Sequence, residues 1–250
     1  MSQSGVVHPL EPLYEGWQRG LAIVAHPDDL EFGAAAAIAR WTGQGKQIIY
    51  CLVTSGEAGI DAMAPAQARL VREAEQRAAA ALVGVEIVEF LGQPDGIVEY
   101  GLPLRRTLSR VVRRHRPEIV ITTNFRDTWD GAGALNQADH RATGWAVLDA
   151  VRDAGNRWVF PALLAEGLEP WGGVTQVWAA GSPEARHGVD ITATFVQGVA
   201  SLRAHEAYLG GLGAGTFDPD AYLAELGRAA GARLGTRYGA AVEVFPCASE

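Results

Sequence analysis

A histidine, two aspartates and a glutamate crowd into six residues, His26-Pro27-Asp28-Asp29-Leu30-Glu31, directly after a wholly apolar run at 20–25. An aspartate at the start of a helix is commonly a cap, because its carboxylate accepts free N–H groups. One cap explains one aspartate. It does not explain four ionisable groups at the end of a buried strand, an arrangement that is costly without a counter-ion. A metal supplies the counter-ion. Zinc takes imidazole nitrogen and carboxylate oxygen at ~2.0–2.2 Å, and a catalytic site uses three protein ligands and leaves a position for water. His26 and Asp29 can reach one ion from a single turn. Among the other histidines, His8 lies in an N-terminal arm and His115 closes a basic helix, where cations are normal. His140 opens a helix after a later strand and is the best third ligand. Asp28 is then left free beside the metal, placed to take a proton from a water whose pKa zinc lowers from 15.7 to about 7. The chemistry this suggests is attack of water on a carbonyl.

The surrounding pattern must bring 26–29 and 140 together. Apolar runs at 20–25, 47–54, 85–91 and 118–123 read as strands. Segments 29–43, 64–83, 103–115 and 139–154 read as helices. This alternation implies an α/β, Rossmann-like fold: a mostly parallel sheet with helices on both faces. Beyond residue 155 the pattern loosens. It predicts an edge strand at 174–180, helices at 191–209 and 218–234, and a short strand at 242–245. Residues 1–18 read as an arm and 19–250 as one domain. In such a sheet ligands bind beyond the carboxyl ends of the strands. The segments HPDD (26–29), SGEAG (55–59), GQPDG (92–96) and 124–137 should therefore share one rim.

AHPDDLEFG (25–33) resembles the AHPDD signature of the PIG-L/LmbE-like zinc de-N-acetylases. TSGEAG (54–59), RLVREAEQRAAAALVGV (69–85), LGQPDG (91–96), PEIVITTN (117–124), ADHRATG (138–144), HGVDIT (187–192) and LRAHEAY (202–208) are similar to later family segments, in the family's order. The resemblance covers nearly the whole chain after the arm. It implies a Rossmann-like enzyme that removes N-acetyl groups from amino-sugar compounds. It also implies zinc held by His26, Asp29 and His140, with Asp28 as general base. Arg72 and Asp95 fall where family members contact the sugar; the plainer readings are a helix pair with Glu75 and an Asp-Gly turn. One departure matters. Many members carry a histidine three residues before the last ligand, and here that position is Gln137. An amide can donate to an oxyanion but cannot deliver a proton.

Other residues are weighed beside these. Asn136, next to Gln137, and Trp129, in the loop before it, are expected against the substrate. Glu31 is expected to support a ligand from behind. Asp139 either orients His140 or caps its helix. His205 is a reserve proton donor or a supporting residue, His187 a surface residue, and Asp190 a local cap. Most tryptophans read as core. GGLGAG (210–215) reads as a lid or connection, since no phosphate-loop Lys-Ser/Thr follows it.

Composition bounds the rest. The 250 residues are 48% apolar and 20% charged, with a net charge of −8. That balance disfavours a nucleic-acid partner; the arginines at 105–116 read as a solvated helix face. Cys51 reads as core, and two cysteines imply no disulfide framework. No secretory leader and no run of ~20 apolar residues is visible, so a cytoplasmic setting is the expectation, with a small-molecule N-acyl amino sugar as partner. A homo-oligomer is left open. Three activities compete: N-deacetylation; cleavage of a larger acyl group or thiol conjugate; and metal or substrate binding without turnover, for which Gln137 is the motive. A nucleotide-binding role is disfavoured by the missing G-x-G-x-x-G and the acids in its place.

Overall fold

The structure, a computed structural model, describes residues 8–129, 133–212 and 217–247. Its strands are β1 (Glu11–Pro12), β2 (Arg19–Val24), β3 (Gln47–Leu52), β4 (Ile87–Phe90), β5 (Ile119–Thr123), β6 (Gln176–Ala180), β7 (His187–Asp190) and β8 (Gly239–Pro246). Its helices are α1 (Ala35–Gly43), α2 (Pro65–Leu82), α3 (Leu102–His115), α4 (Ala138–Gly155), α5 (Ala162–Ala165), α6 (Phe195–Arg203), α7 (Glu206–Gly211) and α8 (Pro219–Leu234).

The strands form one sheet in the order β1-β7-β8-β6-β5-β2-β3-β4. All pairings are parallel except those of β8, which runs antiparallel to β6 and β7. β2 pairs with β3 on one side and β5 on the other. The chain winds outward in opposite directions from that junction, which is the crevice where ligands bind in an open α/β sheet. His26 follows β2 and His140 follows β5, so both expected ligands flank this crevice.

The core is split by the sheet. One face packs Trp17 edge to face on Trp41 and Trp178, which tilt against each other, with ring centroids 5.3–5.8 Å apart, beneath α1, α6 and α8. The other face packs Leu21, Ile23, Val120 and Val177 against Leu108, Val112, Val147 and Ala150 of α3 and α4. Burying one such large apolar side chain contributes about 1.5–3 kcal/mol.

Several expectations are corrected. The helix expected at 29–43 begins only at Ala35, because Asp28 takes φ +81° and residues 29–34 fold as turns. Segment 174–180 is no edge strand: β8 covers it, and β8 is longer than the strand expected at 242–245. The helix expected at 191–209 breaks at His205, whose ψ of 53° is not helical, so α6 and α7 are separate. The arm contributes edge strand β1 beside β7, a short strand the sequence reading missed. The Arg105–Arg116 run is not wholly solvated. Arg113 is buried and donates to the carbonyls of Ala154 and Asn156, and Arg105 forks onto Asp153. Part of segment 210–215, read as a lid or connection, lies outside the described residues, as does the start of the arm. Among the described residues no helix is long and apolar enough to cross a membrane.

Candidate active site

The turn after β2 carries the site. Sheet pairing continues past the strand through Val53 N–H to Val24 O and Thr54 N–H to Ala25 O, both 2.9 Å. His26 is thereby delivered at the rim. Asp28 then enters the left-handed region, a conformation that costs a non-glycine residue roughly 1–2 kcal/mol, less for Asp, whose short side chain bonds locally. Its carbonyl accepts Glu31 N–H at 2.8 Å and Phe32 N–H at 3.1 Å, closing the turn.

His26 Nδ1, Asp29 Oδ1 and His140 Nε2 converge. The separations are 3.1 Å between the two nitrogens, 2.9 Å from His140 Nε2 to Asp29 Oδ1, and 3.7 Å from His26 Nδ1 to Asp29 Oδ1. A four-coordinate ion with bonds of about 2.0–2.1 Å spaces its ligand atoms roughly 3.3 Å apart. The triangle therefore has the size of one zinc-class ion, and all three residues are buried.

The outer ring nitrogens fix which atoms face inward. His140 Nδ1 lies 3.0 Å from Asn136 Oδ1. An amide oxygen only accepts, so Nδ1 carries the proton and Nε2 keeps its lone pair. His26 Nε2 lies 3.1 Å from Asp95 Oδ1 and 3.2 Å from Asp139 Oδ2, so it donates outward and Nδ1 is free. His26, Asp95 and Asp139 form a second group close enough to hold an ion. Those carboxylates are engaged otherwise: Asp139 accepts Gly96 and Val98 N–H, and Asp95 accepts Ala58 N–H. Burial alone would lower the His26 imidazole's pKa, but Asp139, Asp29 and Asp95 together raise it well above the usual value. Burial would likewise raise the Asp29 carboxyl, yet His140 and His26 hold it well below the carboxylate range. A divalent ion in the triangle would displace the proton that these carboxylates favour on His26, leaving Nδ1 to face the ion.

Asp139 departs from both expectations. It orients His26, across the site, rather than its neighbour His140, and it fastens the 96–98 loop. Asn136, expected against the substrate, has its amide committed: Nδ2 donates to Asn124 O and Arg126 O, and Oδ1 accepts from Gln137 N and His140 Nδ1. Asp95 sits at His26 as well as in its Asp-Gly turn.

Asp28 lies on the inner side of the turn. Its Oδ2 accepts Arg72 Nη2 at 2.8 Å, and the same nitrogen donates to Pro27 O at 2.7 Å. Burial raises the Asp28 carboxyl to about 7, against the pull of Arg72 and with the push of Asp29. Arg72 is buried, with its guanidinium 3.8 Å from the centre of the Tyr208 ring. Glu75 accepts instead from Ala207 N–H, so the expected Arg72–Glu75 pair is absent from Glu75's contacts. Glu31 does not touch a candidate ligand. Its Oε1 accepts Gln76 Nε2 at 3.0 Å, and Ser201 Oγ and His205 Nε2 lie at 3.3 and 3.7 Å. His205 is fully buried behind the turn.

Trp129 stands edge-on to His140 with centroids 5.1 Å apart and is 42% exposed. Gln137 is exposed at the start of α4, and its side chain does not cap the helix. Two residues escaped the sequence reading. Gln76 and Tyr208 complete the surroundings of Asp28, and a signal existed for Gln76. On α2, Ala68, Arg72, Gln76 and Ala79 share the buried face at helical spacing, where two long polar side chains are out of place unless they meet polar partners.

An open, mostly parallel sheet with a His/Asp/His cluster at its switch point defines a class: α/β proteins with a candidate metal site at the sheet's rim. Residues 21–151 match the family described as PIG-L, GlcNAc-PI de-N-acetylase, and the chain belongs to that family. It is 27% identical over 189 residues to the diacetylchitobiose deacetylase of Thermococcus kodakarensis, covering 75% of this chain and 68% of the relative. Two further relatives are matched over 58% and 61% of their own lengths. The fold superposes on an N,N'-diacetylchitobiose deacetylase from Pyrococcus horikoshii with a TM-score of 0.82 at 23% identity, covering 93% of this chain and 85% of that one. It also superposes on GalB, the 4-carboxy-2-hydroxymuconate hydratase of Pseudomonas putida KT2440, with a TM-score of 0.74 at 22% identity, covering 93% and 98%. The shared fold therefore hosts more than one reaction, and the side chains must decide the chemistry.

Proposed function

We propose that this chain hydrolyses the N-acetyl group of an amino-sugar compound, with a divalent metal, zinc by preference, held by His26, Asp29 and His140. The observation that carries the reading is the triangle of three inward lone pairs with Asp28 beside it. Family membership and the named activity of the Thermococcus relative support it. A divalent ion there supplies Lewis acidity, lowering the pKa of water and polarising the amide carbonyl.

The chain's own residues do the remainder. Asp28, ionisable near neutrality, takes the proton from the attacking water. Arg72 keeps that carboxylate aimed and partly neutralised. Trp129 forms a wall for the sugar, and Gln137, exposed at the start of α4, donates to the oxygen that gains charge. His205 is fully buried beside Glu31 and is given no part in protonating the departing amine. Asp28 therefore returns the proton it took. The test is release of acetate and a primary amine by the metal-loaded protein from N-acetylglucosamine, N,N'-diacetylchitobiose and their glycosides, with longer N-acyl analogues alongside. Acetate release that is lost in Asp28→Asn supports the reading. No turnover across the panel, while a working family member acts in parallel, overturns it.

A second reading has its own motive in Gln137: a site that binds metal and substrate but turns over poorly. Gln137→His then raises kcat by at least 10-fold. An unchanged or lower kcat in that variant, with brisk turnover by the natural chain, removes it.

A further inference from the structure

Helix α2 approaches the Asp28 turn with two side chains one helical turn apart. Arg72 takes the carboxylate and the preceding carbonyl. Gln76, fully buried, takes the other end of that peptide, accepting Asp28 N–H on Oε1 at 2.9 Å. Its other end is not free. Gln76 Nε2 donates to Glu31 Oε1 at 3.0 Å, and Glu31 is itself enclosed, with Ser201 Oγ at 3.3 Å. A carboxylate can only accept, so Glu31 dictates which end of the amide points at Asp28. With the amide reversed, its NH2 would face the Asp28 N–H and two donors would meet.

We propose that Gln76 is a positioning residue for the base, and that Glu31 acts through it. The proposal rests on Asp28 being the base. The left-handed backbone at Asp28, φ +81°, decides where its carboxylate points relative to the metal triangle. A conformation of this kind persists only when its surroundings over-determine it. Here both ends of the Pro27–Asp28 peptide, which leads into Asp28, are held by α2, Pro27 O by Arg72 and Asp28 N–H by Gln76, while the Asp28 carbonyl on the other side accepts Glu31 and Phe32 N–H. Neither Gln76 nor Glu31 contacts His26, Asp29 or His140 by hydrogen bond, so the effect falls on the proton transfer and not on the metal. This gives the buried acid of the HPDDLE segment a task other than supporting a ligand.

The test is a charge swap, read by metal content, melting temperature, kcat and KM on N,N'-diacetylchitobiose. Gln76→Glu sets two carboxylates about 3 Å apart at the Glu31 contact. It is expected to keep one metal per chain and an unchanged KM while kcat falls about 10–100-fold, the scale of a misaligned reacting group. Adding Glu31→Gln restores one donor and one acceptor at the contact and leaves an oxygen for Asp28 N–H. The double variant is expected to regain kcat to within about 3-fold of the natural chain. Gln76→Leu is expected to match the single Glu variant. Wild-type kcat in both Gln76 single variants, loss of metal in step with loss of activity, or a double variant no better than Gln76→Glu would each overturn the proposal. Asp28→Asn in the same assay separates the two ideas: if it turns over normally, the base assignment has failed rather than the role of Gln76.

Discussion

At Asn136 one amide does two jobs, and the consequence is measurable. Its Oδ1 fixes the His140 tautomer, and its Nδ2 ties together the loop at 124–126. Asn136→Ala is expected to weaken metal affinity about 10–100-fold, the usual effect of removing a partner behind a ligand, as read by metal-buffer titration. Asp29→Ala and His140→Ala each remove a corner of the triangle and should abolish stoichiometric metal, measured by elemental analysis of gel-filtered protein. Asp28→Asn should retain the metal while kcat falls about 100- to 10,000-fold, the range for loss of a general base. Full metal loading of the Asp29 and His140 variants would place the ion elsewhere.

Among the helices, close approach is enforced by glycine. A Cβ added at Gly198 of α6 would lie 2.7 Å from Ala36 Cβ and 2.8 Å from Ala36 N of α1. Backbone cannot give way as a flexible side chain can, so Gly198→Val should destabilise by about 1–3 kcal/mol, read as a lower urea midpoint with unchanged slope. The α1–α6 contact also carries the turn at 26–34 and the Ser201–Glu31 contact. Activity in this variant should fall before global unfolding, because the site leans on that helix pair.

For the molecule as a whole, the arm is fastened by charge as well as by β1. Glu15 accepts from Arg40 Nε and Nη2 and from Trp41 Nε1. Burial would raise its carboxyl, but Arg40 outweighs burial and holds it below its ordinary value. A carboxylate depressed in the folded state adds stability above its unfolded pKa of about 4.3, lost as pH falls through the folded value. Glu15→Gln is therefore expected to cost about 0.5–1 kcal/mol near pH 7, the range of a partly exposed pair, and progressively less as pH falls below about 4. A pH-independent difference between the two proteins in denaturant melts would show that the contact acts through packing alone.

Local order was readable along the chain because it follows from period and composition. The alternation of buried runs and amphipathic helices announced the mostly parallel sheet, and strand ends announced the rim, so His26, Asp29 and His140 were expected to meet there. Charge crowding at 26–31 pointed to His26 and Asp29, since such a cluster has few stable surroundings, and His140 followed from its place after a later strand. Three things depend on atoms far apart in sequence. The fate of β6, covered by β8, rests on a pairing between residues more than sixty positions apart, from Ala180↔Val242 to Gln176↔Pro246. The turn at 29–34, which delays the helix to Ala35, follows a left-handed Asp28 that is held by Arg72 and Gln76 from another element. The roles of Asp139, Asn136 and Glu31 turn on which neighbour each side chain meets, and hydrogen-bond direction in a folded interior is set by distance and geometry rather than by residue type.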